Sequence, residues 1–242
     1  HAHHLTEYNL FRLAMKLQEY AIIVAGGKGT RIKSVVPKQF IPLAGMPILM
    51  HTITAFHEYS ANIHIILVLP QDDVERWNKL CSDHQFNISV QVVHGGETRF
   101  QSVKNGLALV PEHSLVAIHD GVRPLVSSDI IGASFRLAAV HGTAVAAVRL
   151  KDSIRMTDQD TTKAADRSRF RLIQTPQSFK SELIKKAYLT KEEDSMTDDA
   201  SVAEHAGHLI SLFEGSYENI KVTTPEDLVV AEALLEARNR RG

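Results

Sequence analysis

Short apolar runs alternate with amphipathic stretches along most of the 242 residues. Residues 21–24, 63–69, 89–93, 115–119 and 144–148 read as strands; only His64 interrupts the second, and Pro70 ends it. Between them, residues 48–57 place Leu49, Ile53 and Phe56 on one helical face, and 74–84, 100–109 and 128–140 also read as helices. Strands without polar alternation are buried on both faces and are joined by helical crossovers. The pattern predicts a Rossmann-like α/β/α sandwich with a mostly parallel sheet. Such sheets bind ligands beyond the carboxyl ends of their strands. The loop at residues 26–29 and Asp120 each follow a strand directly.

Residues 151–170 break the alternation. They are highly charged, and Asp158-Gln159-Asp160 reads as a turn between two polar strands, with a structureless loop as the other reading. The chain returns through residues 172–174, helices at 181–190 and 199–205, and a strand at 209–214. Residues 219–223 place Lys221 on a late strand. A helix over 225–238 ends the chain, with Thr224 as its N-cap and Pro225 at its first position. With no internal repeat, residues 15–242 read as one domain plus a projecting β-arm.

Composition narrows the function classes. With 27 basic and 28 acidic residues the net charge is −1, which gives no argument for nucleic-acid or membrane binding. No apolar run reaches the ~18 residues of a membrane span. Cys81 is the one cysteine, so an intrachain disulfide is excluded and a reducing, cytoplasmic setting is expected. It reads as a small buried residue on a helix face. His1, His3 and His4 look like part of a purification tag, residues 1–14 like upstream sequence and Met15 like a natural start; an extension helix through Leu10, Leu13, Ala14 and Leu17 is the alternative.

The most informative stretch is Val24 to Phe40. Gly26, Gly27 and Gly29 crowd behind the first strand, and Arg31 and Lys38 follow. Glycines let backbone approach a ligand closely, and freed N–H groups can ring an anion. A plain turn is the competing reading, which Arg31 and Pro37-Lys38-Gln39 weaken. The spacing matches neither a P-loop nor a dinucleotide fingerprint. A carboxylate at a strand end, Asp120, suits Mg²⁺ shared with substrate phosphates, although Asp-Gly alone is commonly just a turn. Gly95-Gly96 before a helix, with Ser102 in its first turns, suits close approach to a flat base, and equally a helix cap.

From about residue 20 onward these motifs resemble nucleotidyltransferases that join a nucleoside triphosphate to a sugar or polyol phosphate. Pro37-Lys38-Gln39-Phe40 narrows the resemblance to the cytidylyltransferases, and the whole set to the 2-C-methyl-D-erythritol 4-phosphate cytidylyltransferase family. The resemblance implies CTP and methylerythritol phosphate as substrates and Mg²⁺ on Asp120. It implies Arg31, Lys38, Arg167 and Lys221 as catalytic. It places Ala25, Gly26, Gly27, Gly29, Asp120 and Gly121 around the nucleotide, and Gly95, Gly96, Arg99 and Ser102 at cytosine. Arg123, Ser153, Thr175 and Thr197 match positions near the sugar phosphate. It also implies a homodimer whose arms cross between subunits. Two departures stand out: Gly121-Val122 replaces small residues common in the family, and Ser153 replaces a usual threonine. A local helix cap is the other reading for Thr197, and an ion pair with a neighbouring acid for Arg123. A ribitol 5-phosphate cytidylyltransferase and a non-catalytic nucleotide-binding domain are the rival identities.

Overall fold

The computed structural model describes residues 17–26 and 36–241. The tag and extension-helix readings for residues 1–14, and Gly27, Gly29 and Arg31, lie outside the described residues. The chain begins with strand β1 (Glu19–Val24). A small hairpin, β2 (Pro42–Leu43) and β3 (Met46–Pro47), turns through Ala44 and Gly45, both at positive φ, as a two-residue hairpin turn demands. Helix α1 (Ile48–Tyr59), β4 (His64–Leu69), α2 (Val74–Asp83), β5 (Gln91–His94) and α3 (Arg99–Leu107) follow. Then come β6 (Leu115–Asp120), α4 (Ser128–His141) and β7 (Thr143–Arg149). The hairpin of β8 (Ile154–Asp158) and β9 (Thr161–Ala165) leads into β10 (Arg171–Lys180). Helices α5 (Ser181–Ala187) and α6 (Asp199–His205), strand β11 (Leu212–Glu214) and helix α7 (Pro225–Arg241) complete the chain.

Among the described residues the main sheet has seven strands in the order β11-β7-β10-β6-β1-β4-β5. Every neighbouring pair is parallel except those of β10, which runs antiparallel to both β6 and β7. Successive side chains of a strand point to opposite faces, and β1 divides accordingly. Ala21 and Ile23 pack with Leu49, Ile53 and Phe56 of α1 and Phe135 of α4. Ile22 packs on the other face with Phe100 and Val103 of α3, Ile184 of α5 and Val202 of α6. The predicted sandwich is therefore present.

Several boundaries differ from the sequence reading. The expected strand at 172–174 is the start of the ten-residue β10. The strand expected from 209 begins only at Leu212, because Leu209 is 90% exposed and makes no ladder. Lys221 lies in an irregular segment, not on a strand. Cys81 is half-buried rather than buried. The Thr224 cap is present: its Oγ1 accepts from the Asp227 N–H at 3.3 Å, and the Asp227 carboxylate accepts from the Thr223 and Thr224 N–H groups, each at 2.9 Å. The β8–β9 hairpin forms a separate two-stranded sheet. Among the described residues no helix is long and apolar enough to cross a membrane.

Candidate active site

Register brings the strand ends level. Val24 of β1 stands opposite both Val68 of β4 and Asp120 of β6. Three further bonds lock the loops beyond them: Ala25 N–H to the Val68 carbonyl at 3.0 Å, Gly95 N–H to Leu69 at 2.8 Å, and Gly121 N–H to Val24 at 2.8 Å. The result is a cleft of about 1100 Å³ at the carboxyl ends of the strands. It gathers Ala25, Gly26, Lys38, Gly95, Gly96, Arg99, Ser102, Asp120 and Lys221. A second hollow of about 970 Å³ opens beside Tyr20, His57 and His64, at the other end of the sheet. It lies away from the loops that carry ligands in such folds.

Asp120 is the electrostatic centre. Its Oδ2 accepts from Arg123 Nε at 3.2 Å and lies 3.2 Å from Lys221 Nζ, and its Oδ1 lies 3.8 Å from Arg99. Burial would raise this carboxyl, but Arg99, Lys221 and Arg123 together outweigh it and hold the group well below the usual carboxylate range. Arg99 is itself gripped in a bidentate fork by Asp199, at 2.9 and 2.7 Å, and Tyr188 donates to the same carboxylate at 2.6 Å. Beside Asp120, His119 is fully buried, and burial pushes it down to about 4, so its ring is neutral near pH 7.

The Gly95 segment serves packing and the cleft together. A Cβ on Gly95 would sit 2.9 Å from Ser102 Oγ, and one on Gly96 would sit 2.4 Å from Gln101 Cβ. Only glycine lets this turn lie so tightly on the start of α3. Ser102 Oγ accepts from the Gly96 N–H at 3.1 Å, and Thr98 caps the helix by accepting from Gln101 N–H.

Other predicted residues stand elsewhere. Gly121 is buried, its carbonyl taking a bond from Thr52 Oγ1 at 2.8 Å. Arg123 is buried and paired with Asp120 and with the Asn219 carbonyl at 2.8 Å, so the ion pair weighed for it from sequence is present. Thr175 is 4% exposed, with its hydroxyl bonded to the Asp120 N–H and to His119. Thr197 does not cap α6; Asp198 does, because its extended backbone points the carboxylate at the Ser201 N–H, 2.8 Å away, while Ser201 Oγ accepts in return from the Asp198 N–H. Ser153 and Arg167 are exposed at the base of the hairpin, outside the cleft lining, and Arg167 donates to the Lys151 carbonyl.

Three structural residues of the site escaped sequence reasoning. Gln39, 1% exposed, joins the Ala25 carbonyl at 3.0 Å to Asp73 at 3.2 Å and so fixes the turn that carries Lys38. Asn219 donates to the Thr175 carbonyl at 2.8 Å. Asp199 orients Arg99. A polar residue flanked by ordinary turn chemistry gives no sign of burial; only the position of Gln39 inside Pro37-Lys38-Gln39-Phe40 offered a signal.

Among the described residues no three His, Cys, Asp or Glu side chains gather as a metal cage. One carboxylate ringed by cations does not suit a resident ion. It does suit Mg²⁺ that arrives with a polyphosphate, since that ion commonly keeps its waters and takes one or two carboxylates plus phosphate oxygens.

Comparison with known proteins agrees with this geometry. The profile of the family described as IspD, 2-C-methyl-D-erythritol 4-phosphate cytidylyltransferase, matches residues 20–237. The Bacteroides thetaiotaomicron protein of that name is 47% identical over 219 residues, covering 90% of this chain and all of the relative. The Porphyromonas gingivalis protein is 48% identical over 222 residues, covering 91% and 99%. Among solved structures, the 4-diphosphocytidyl-2C-methyl-D-erythritol synthase of Anaerococcus prevotii superposes with a TM-score of 0.79 at 27% identity, covering 93% of this chain and 99% of that one. The Thermus thermophilus cytidylyltransferase gives 0.73 at 27% identity, covering 90% and 98%. A chain that carries this cleft and matches these relatives over nearly their full length belongs to the 2-C-methyl-D-erythritol 4-phosphate cytidylyltransferase family.

Proposed function

We propose that the cleft around Asp120 carries out the reaction of its family, transfer of a cytidylyl group from CTP to 2-C-methyl-D-erythritol 4-phosphate. A phosphomonoester oxygen attacks the α-phosphorus in line, the bond to the bridging oxygen breaks, and pyrophosphate leaves. The nucleophile is already anionic, so no strong general base is required. The difficulty is bringing two polyanions together, and positioning with charge stabilisation carries the catalysis. The observation that carries the reading is the cleft itself: Lys38, Arg99 and Lys221 line it at the carboxyl ends of parallel strands, and Arg99 and Lys221 converge there on the strand-end carboxylate of Asp120.

Lys38 and Arg31 are assigned to the triphosphate and its developing charge, with Ala25, Gly26, Gly27 and Gly29 approaching it through the backbone. Gly95, Gly96 and Ser102 are assigned to cytosine, and Lys221 to the phosphates beside Asp120. Asp120 would hold Mg²⁺, which when bound neutralises phosphate charge. Ser153 and Arg167 are assigned to the polyol phosphate of a neighbouring subunit in a cytoplasmic homodimer. In support of that assembly, Phe170, Leu172 and Ile173 at the root of the hairpin are 44%, 52% and 41% exposed, an apolar patch of the kind that marks interfaces.

The test is pyrophosphate release with CTP and Mg²⁺, using methylerythritol phosphate or ribitol 5-phosphate as acceptor. Release with the first and not the second is expected. Preference for ribitol phosphate would reassign the acceptor, and no release with either would leave only a nucleotide-binding domain.

A further inference from the structure

We propose that Arg238 is a positioning residue for the reaction, and that α7 is a clamp holding the segments that carry Lys38, Asp120 and Lys221 against one another. The proposal rests on the functional reading given above. Among the described residues, none of α7 lines the cleft. The helix instead packs behind three of the segments that do. Its Ala231 is fully buried in a cluster with Leu43, which follows the Lys38 turn, with Val122 and Leu125 of the Asp120 loop, and with Val222, which follows Lys221. Ile41 and Ile220 pack on the same cluster.

Apolar contact is non-directional, so it holds segments together without fixing how they face. Arg238 supplies the direction. Its Nε donates to Glu218 Oε2 at 3.0 Å, and its Nη2 donates to the Leu125 carbonyl at 2.6 Å. Glu218 precedes Lys221 on one irregular segment, and Leu125 follows Asp120 on another, so no strand ladder sets the distance between the two. Two bonds join them directly, Arg123 Nη1 to the Asn219 carbonyl at 2.8 Å and the Val222 N–H to the Val122 carbonyl at 2.9 Å. Arg238 adds a third tie through a planar fork whose donor directions are fixed. Arg241 Nη1, 3.7 Å from Glu218 Oε1, meets the same carboxylate on its other oxygen. The Lys221 side chain keeps 43% exposure while standing 3.2 Å from Asp120, and a side chain that open is placed by the backbone that carries it. As a source of stability the Arg238–Glu218 pair is minor, because its side chains keep 30% and 34% exposure and solvent screens such a pair. As a source of position it is not, since a displacement of about 1 Å near a reacting group can cost about 10²-fold in rate. The two roles therefore separate in experiment.

Arg238→Met keeps the aliphatic stem and removes the fork. Glu218→Ala removes the partner on the Lys221 segment and leaves Arg238 on Leu125. Each is expected to lower kcat for pyrophosphate release by about fivefold or more, with the KM for CTP within about twofold and Tm within about 3 °C. The two together should be no worse than either alone, and Arg238→Met should lose less than about twofold on a Lys221→Ala background, where its target is already gone. Normal kcat in either variant, a Tm lowered by about 10 °C or more, or a full further loss on the Lys221→Ala background would overturn the proposal. Amide hydrogen exchange gives a readout independent of turnover. Residues 121–126 and 216–222 should exchange faster in Arg238→Met while β1 and β6 keep their rates, and unchanged exchange in those segments would overturn the proposal. If the unmodified protein were inert toward CTP and methylerythritol phosphate, the functional reading would fail while the exchange result still judged the clamp.

Discussion

Asp120 is held by side chains from α3, β10 and the Lys221 loop, whereas the β8–β9 hairpin is paired only within itself in the sheet topology. The first region is a charge sunk at a strand end, and a charge there survives only if its neighbours are placed to meet it. The second is polar, with Met156 62% exposed and most of both strands open to water. A two-stranded hairpin of this kind is marginal alone. One region therefore has its geometry fixed by the fold, and the other is a polar hairpin that pairs with no strand of the main sheet. Under the proposed function, the first supplies catalytic precision and the second would complete the site of a neighbouring subunit.

The sharpest way to break the contrast is Asp120→Asn. It keeps the shape and removes the charge on which Arg99, Arg123 and Lys221 converge. Turnover should fall by about 10²–10³-fold with the far-UV spectrum unchanged, and EDTA should silence the unmodified enzyme. Full pyrophosphate release in EDTA would remove the metal from the scheme.

The hairpin is tested by mixing Lys38→Ala with Arg167→Ala. If Arg167 serves the neighbouring subunit, random pairing makes half the dimers mixed, each with one intact site, and about a quarter of normal activity returns. No recovery after confirmed subunit exchange, or full activity in a sedimenting monomer, would assign the hairpin to its own chain.

A smaller effect, on stability, is expected from Asp199→Asn. Asp199 is fully buried, while the Arg99 side chain keeps 30% exposure, so water relieves part of the loss. The cost should be about 2–3 kcal/mol, or roughly 4–12 °C in Tm, and a thermal melt decides it. An unchanged melt would mean that the fork contributes orientation alone.

The smallest effect is on pH dependence. His119 titrates near 4 in the fold and near 6.5 unfolded, so the native state refuses a proton that the unfolded chain takes. Its contribution is complete above pH 6.5 and drains away as pH falls toward 4. Between pH 7 and 5 the stability advantage over His119→Gln should shrink by about 2 kcal/mol. Asp120 has its folded pKa depressed, so its contribution is present above the ordinary carboxylate value and is lost only in stronger acid. Urea titrations at the two pH values measure the difference, and parallel curves for the two proteins would show that His119 is not kept neutral.

The parts of the site that sequence exposed are those that chain direction fixes. An apolar run such as residues 115–118 states its own burial, and the residues that follow it come to the ligand-binding end; Asp120 was legible for that reason. Partners supplied from distant segments were not. Nothing local to Asn219 or Asp199 shows that one will meet Thr175 and the other Arg99. The orientation of β10 was hidden as well, because the residue pattern of a strand reads alike in either direction. Residues 219–223 read as a late strand carrying Lys221, yet the segment is irregular and Val222 packs with Leu43 and Val122 in a satellite cluster. For Thr197, capping chemistry was correctly sensed and assigned one residue too early.

The register of β10 against β7 shifts between Ile173 and Gln177. On one side Arg171, Leu172 and Ile173 are locked to the far end of β7, and on the other Gln177, Ser178 and Phe179 are locked to its beginning. Gln174, Thr175 and Pro176 bridge two anchored stretches, so their number is fixed. Removing one residue there would force a slip that turns buried Phe179 and Ser178 to the wrong face. At the hairpin tip Gln159 is exposed at φ 42° and belongs to no strand of the main sheet, so added residues there leave that register unchanged. Length is therefore a strict variable in one part of this chain and a free one fifteen residues earlier, so an insertion scan would map the site as sharply as a substitution scan.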